Sequence, residues 1–129
     1  MARIERVVLV GHCGADSWML GDVLAQALPD AAVEQAHTDA EVDALSDQTT
    51  LMLVNRVLDG RFAAASGVDL IRQRAGDEAV GRWMLISNYA DAQEEAVAAG
   101  ALPGFGKADA GSPRTIDLLR QAVAEGQSA

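Results

Sequence analysis

At 129 residues, half of them apolar and only 4% aromatic, the chain has the size of a single domain built around an aliphatic core. Its 19 acidic residues against 10 basic ones give a net charge of -9, which opposes nucleic-acid phosphates and excludes direct nucleic-acid binding as the expected function. No apolar run approaches the roughly 20 residues of a membrane span, Met1 to Arg6 lead into a strand-like run rather than a signal peptide, and the sole cysteine, Cys13, allows no internal disulfide. The expected setting is the cytoplasm, with no membrane partner.

Strand-length apolar runs alternate with helical segments. Arg6 to Gly11, with Val7, Val8, Leu9 and Val10 in succession, reads as a first strand buried on both faces. Asp16 and Ser17 are candidate caps for a first helix, in which Met19, Val23 and Ala27 recur at helical spacing before Pro29. Ala31 to Glu34 makes a short second strand. Thr38 and Glu41 have capping-box spacing for a brief second helix reaching Leu45. Thr50 to Asn55 is the second strongly buried strand, followed by a loop through Asp59 and Gly60. Ser66 to Arg74 carries Val68, Leu70 and Ile71 on a third helix.

Trp83 to Ser87 forms a fourth strand, and Ala90 to Ala99 a fourth helix that Gly100 ends in a left-handed cap. Gly104 to Gly106 has little strand propensity and is placed as a fifth strand by the alternation alone. Ser112 as cap, Pro113 at the first helical position, and Ile116, Leu118, Leu119 and Val123 behind them define the last helix, which Gly126 ends. The expected organisation is one domain over residues 1–125 with a disordered tail at 126–129.

Five strands and five helices in alternation match the α/β flavodoxin-like doubly wound architecture, a five-stranded parallel sheet of order 2-1-3-4-5. Ligands of such sheets sit outside the carboxyl ends of the strands, which here collects Gly11, His12, Asn55, Ser87 and Lys107. Lys107 is the only lysine, the other nine basic residues being arginine. A compact ammonium engages an acceptor differently from a planar guanidinium, and the expected partners of Lys107 are Asn55 and Ser87.

Leu-Met-Leu-Val-Asn-Arg-Val-Leu-Asp-Gly at 51–60, Met-Leu-Ile-Ser-Asn-Tyr at 84–89, Glu-Ala-Val-Ala-Ala-Gly-Ala at 95–101 and Gly-Phe-Gly-Lys at 104–107 together resemble the receiver domains of bacterial two-component response regulators. The resemblance runs from Arg6 to about Val123. It implies an acidic pair after strand one that binds magnesium, an Asp ending strand three that accepts a phosphoryl group, a Ser or Thr after strand four, and a Lys after strand five. Ser87 and Lys107 match the last two positions.

Asn55, however, stands at the phosphoacceptor position, and Gly11 and His12 at those of the acidic pair. An amide is too poor a nucleophile to form an acyl phosphate, and magnesium wants oxygen ligands that neither Gly11 nor His12 supplies. Gly104 replaces the aromatic switch residue, with Phe105 one step later, and Ala108 replaces the usual proline after the lysine. The chain resembles a degenerate pseudo-receiver.

Other chemistries fit the residues less well. His12 and Cys13 are adjacent on an extended chain and point apart, so no metal site and no cofactor is expected. A Ser87, His12 and Asp59 triad lacks the Gly-x-Ser-x-Gly elbow. Gly11 and Gly14 fit neither the dinucleotide nor the P-loop pattern, and Asp16 would repel phosphate at that helix start. The expected function is therefore non-enzymatic: a non-phosphorylatable signalling or regulatory protein-interaction domain. No effector domain is expected after the last helix, and the domain is expected to act as a stand-alone adaptor. Its expected partners are proteins, such as a histidine kinase or other regulators, or a second copy through helix four, strand five and helix five. The alternative is a small-ligand or redox-sensing module using the same pocket with Cys13 at the start of helix one. A third reading retains phosphorylation at Asp59, which the sequence places on a turn.

Overall fold

A computed structural model describes residues 3–77 and 80–124. The strands are β1 (Arg6–Val10), β2 (Ala32–Ala36), β3 (Thr50–Asn55), β4 (Arg82–Ile86) and β5 (Leu102–Phe105). The helices are α1 (Gly14–Ala27), α2 (Asp39–Leu45), α3 (Gly67–Arg74), α4 (Ala90–Ala98) and α5 (Pro113–Val123). All strands pair in parallel, in the order β2-β1-β3-β4-β5. This is the flavodoxin-like sheet that the alternation predicts.

Continuous apolar runs produce central strands covered on both faces. Val7 and Leu9 of β1, Leu51 and Leu53 of β3, and Met84 and Ile86 of β4 pack with Leu20, Val23, Leu24 and Ala27 of α1 and with Leu119 and Ala122 of α5. The alternate residues Val8, Val10, Met52, Val54, Trp83 and Leu85 face Val42 of α2, Val68, Leu70 and Ile71 of α3, and Ala96 of α4. Period-two alternation within each strand thus divides one sheet between two aliphatic layers.

The predicted caps at Thr38 and Ser112 form, and Ser66, expected as the first residue of helix three, caps it instead; each oxygen accepts an N–H three residues on. Glu41 returns its carboxylate to the His37 N–H at 2.8 Å, one residue before the cap. Gly100 takes the expected left-handed conformation, with φ of 113°. Helix one departs from expectation. Cys13 is its extended N-cap and provides no side-chain cap, so Asp16 lies inside the first turn and Ser17 is buried. The second strand is shifted C-terminally, because register with β1 (Arg6 beside Ala32, Val10 beside Ala36) sets its extent. It is an edge strand exposed over four of five residues and lacks an apolar pattern to mark it. The Gly126 stop and the tail at 126–129 lie outside the described residues.

The fifth strand runs from Leu102 to Phe105 rather than from Gly104 to Gly106, and its register against β4 slips between Met84 and Ile86. Gln93 of α4 fills the irregularity. The two hydrogens of its Nε2 are shared among Leu85 O at 2.9 Å, Ser87 O at 3.2 Å and Phe105 O at 3.4 Å, while its Oε1 accepts from Gly104 N at 3.1 Å. A Cβ at Gly104 would stand 2.0 Å from Leu85 O and 2.8 Å from Gln93 Oε1. A glycine is therefore required where the backbone closes around this amide. Gln93→Ala, which strips these partners together, is expected to destabilise the domain by about 3 kcal/mol. The same change at exposed Gln26 should stay within about 0.5 kcal/mol, both read by urea denaturation.

Candidate functional site

Parallel pairing brings the carboxyl ends of β1, β3, β4 and β5 to one edge of the sheet. Gly11, directly after β1, has φ of 70° and turns the chain under Leu58, whose Cδ2 would lie 2.8 Å from a Cβ there. Its carbonyl accepts from Asn55 Nδ2 at 3.0 Å and from Asp59 N at 2.9 Å. Asn55 Nδ2 also donates to Val57 O at 2.7 Å. Both amide hydrogens at the end of β3 therefore tie the loop after β1 to the loop after β3, an arrangement a carboxylate cannot make because it has no hydrogen to donate.

His12 points into the protein and is fully buried. Its Nε2 is 2.9 Å from Leu53 O, a partner that only accepts, so the ring is the Nε2–H tautomer and its buried Nδ1 has no partner. Burial pushes the His12 pKa from 6.5 down to about 4; the Leu53 bond opposes the shift and the nearby Lys107 charge adds to it. Cys13 is exposed where His12 is buried, so the adjacent pair diverges as its extended backbone predicts.

Lys107 does not bond Asn55 or Ser87. Its Nζ meets Asp16 Oδ2 at 2.5 Å, with both side chains about 30% exposed, at 28% and 31%. That hydrogen bond holds the Asp16 carboxyl below the usual carboxylate range. A charged acceptor across the α1 start outcompetes the neutral amide and hydroxyl for an ammonium. The Asn55 amide is fixed in orientation by its two Nδ2 bonds to carbonyls, and Ser87 Oγ accepts from Tyr89 N at 3.1 Å. Asp16 is the site residue that sequence reasoning took for a helix cap. The available signal was its place in the first turn of α1, at the same sheet edge as the chain's one lysine.

Asn55, Ser87 and Lys107 line a shallow cleft of about 180 Å³, together with Arg56, Val57, Ile86, Asn88 and Tyr89. Gly11 and His12 are not among its lining residues. The Arg56 guanidinium lies over the Tyr89 ring, 4.7 Å from its centroid, joining the loops after β3 and β4. Neither Arg56 nor Tyr89 was singled out from the sequence. A larger cavity, about 620 Å³, lies among Arg3, Leu28, Pro29 and Val123 and contains none of the candidate residues. Asp59 is exposed, its backbone held by Gly11 O and by His37 Nδ1, which donates to Asp59 O at 3.1 Å. Ser87, His12 and Asp59 form no hydrogen-bonded relay.

No family model matches the chain, and no curated protein matches it at a significant level. Solved structures do match its fold. The beryllofluoride-activated NtrC4 receiver domain dimer is 17% identical, with a TM-score of 0.67 over 97% of this chain and 100% of that one. A response regulator from Colwellia psychrerythraea is 17% identical, with a TM-score of 0.66 over 92% and 97%. One from Thermotoga maritima is 18% identical, with a TM-score of 0.64 over 92% of each chain. The chain has the receiver-domain fold.

A neutral buried His12 makes stability depend on pH. Between about pH 6.5 and pH 4 the unfolded chain binds the imidazole proton and the folded one does not, so stability is full above 6.5 and is lost as pH falls toward 4. The loss attributable to His12 should be on the order of 3 kcal/mol. Urea titrations at pH 7.0 and 4.5 should show it, and His12→Gln should flatten the dependence in this window whatever its own stability.

Proposed function

We propose that this chain is a non-phosphorylatable, receiver-like protein-interaction domain that acts as an adaptor in signalling or regulation, binding rather than catalysing. The receiver-domain fold supports the signalling half of this reading. The observation that carries the other half is the Asn55 amide, which donates both hydrogens to backbone carbonyls where the resemblance places a nucleophilic carboxylate. Gly11 and the buried His12 offer no side-chain oxygen to a magnesium ion, and the Gly11 carbonyl is taken by Asn55 and Asp59. Lys107, the basic residue that the resemblance assigns to a phosphoryl group, is engaged by Asp16.

One arrangement of the loops then prevails, and partner binding follows a fixed surface and partner concentration. A ligand shifts a population only through differential affinity for two states, and this pocket lacks the group that would bind such a ligand covalently. A second copy is one candidate partner, since the NtrC4 receiver domain of the same fold is a dimer, and the α4–β5–α5 face is the one we propose for a dimer or partner. A redox role for Cys13 is less well supported, since Lys107, the cation at the start of α1, is already paired with Asp16.

Incubation with acetyl phosphate and magnesium is expected to leave the intact mass unchanged. A gain of one phosphoryl mass would overturn the proposal, and its abolition by Asp59→Asn would place the phosphate on Asp59. Asn55→Asp should destabilise the domain by about 2 kcal/mol at pH 7, because a carboxylate facing Gly11 O and Val57 O loses both donors. The penalty should shrink as pH falls and the carboxyl regains a proton, as urea denaturation at pH 7 and pH 4.5 would show.

A further inference from the structure

The chain carries nearly twice as many acidic as basic residues, yet the cleft between the loops after β3 and β4 inverts that balance. Its described lining holds two cations, Arg56 and Lys107, and no carboxylate. Lys107 is matched by Asp16 from α1. Arg56 forms no ion pair among the described residues and lies over the Tyr89 ring, so its positive charge faces the cleft uncompensated. The rim is apolar: Val57 and Tyr89 are each 62% exposed and stand among the few large apolar side chains left in solvent. Ser87 and Asn88 supply polar groups beside them, and 180 Å³ accommodates one side chain.

We infer that this cleft docks an acidic segment of a partner protein. A glutamate or aspartate side chain enters toward Arg56, and flanking apolar residues of the segment cover Val57 and Tyr89. The Asp16–Lys107 pair shows a cation of the same cleft already accepting a carboxylate. Arg56 suits the task because its planar fork can take both oxygens of a carboxylate while keeping its face on the Tyr89 ring. An apolar rim around a single charge-paired anchor is the arrangement that excludes water from such a contact. The inference rests on the reading that the cleft carries no phosphoryl group, and it identifies the chemistry of the partner.

The test uses a blocked pentapeptide with one glutamate between two leucines, its glutamine counterpart, and inorganic phosphate, each titrated into the isotopically labelled full chain without a phosphodonor. The glutamate peptide should move the backbone and side-chain signals of Asn55, Arg56, Ser87 and Tyr89, with a dissociation constant on the order of 1 mM. The glutamine peptide should bind about tenfold more weakly, and so should the glutamate peptide to Arg56→Gln. Arg56→Lys should recover part of the loss, since it restores the charge without the fork. Raising the salt to about 0.5 M should weaken the glutamate peptide toward the level of the glutamine one.

Equal binding of the two peptides, or shifts confined to another face, would overturn the inference. Phosphate reproducing the same shifts with the same dependence on Arg56, while the leucines add nothing, would make the cleft a small-oxyanion site and overturn it as well. An unchanged amide spectrum of Arg56→Gln outside the cleft establishes that the variant is folded. A mass gain with acetyl phosphate would instead strike the underlying reading, so the two failures are told apart.

Discussion

Everything at the candidate site depends on one constraint, the in-register parallel pairing of β1, β3 and β4. With Val10 beside Val54 and Asn55 beside Ile86, the ends of three strands reach one edge at nearly the same height. Parallel strands require their crossovers on the sheet faces, and the crossover helices bury both faces of the sheet. The resulting rigidity allows short side chains to cross-link loops. Asn55 reaches Gly11 O and Val57 O, and Asp59 N reaches Gly11 O, only because the strand ends beneath them are fixed.

The chemistry of the edge then follows from which groups can donate and which can accept. An amide at the end of β3 supplies two donors to two carbonyls, a buried imidazole turns inward to a third, and the ammonium of Lys107 finds the nearest carboxylate. Each assignment is the most favourable local pairing for that group. Together they give a site whose charges and donors are largely satisfied from within, with Arg56 over the Tyr89 ring as the exception. A site of this kind is suited to presenting a constant shape.

Much of this was legible in the sequence. Continuous aliphatic runs at Val7 to Val10 and Leu51 to Val54 could only be doubly covered strands, and Thr38 and Ser112 marked helix starts by chemistry that needs no tertiary context. The order of elements placed Gly11, Asn55, Ser87 and Lys107 at one edge, where the structure has them. What escaped was what only packing decides. β2 has no apolar pattern and takes its extent from its neighbour. β5 is held by Gln93 of another element, across a gap that propensity cannot see. The partner of Lys107 was misassigned because a sequence ranks positions in the chain, whereas an ammonium selects the strongest acceptor within reach, and Asp16 lay hidden as a presumed cap. The stacking of Arg56 on Tyr89 joins two loops 33 positions apart and leaves no local signature.

The concentration of basic character in arginine has a further consequence for the one lysine. Acylating reagents and enzymes that act on side-chain amines find a single target in this chain, and that amine is held against a carboxylate. Neutralising it by acylation would remove a charge and release Asp16 at the start of α1 in the same event. Side-chain amine chemistry in this protein is thus confined to one contact, and the rate of such labelling would act as a clock for how often the Asp16–Lys107 pair opens.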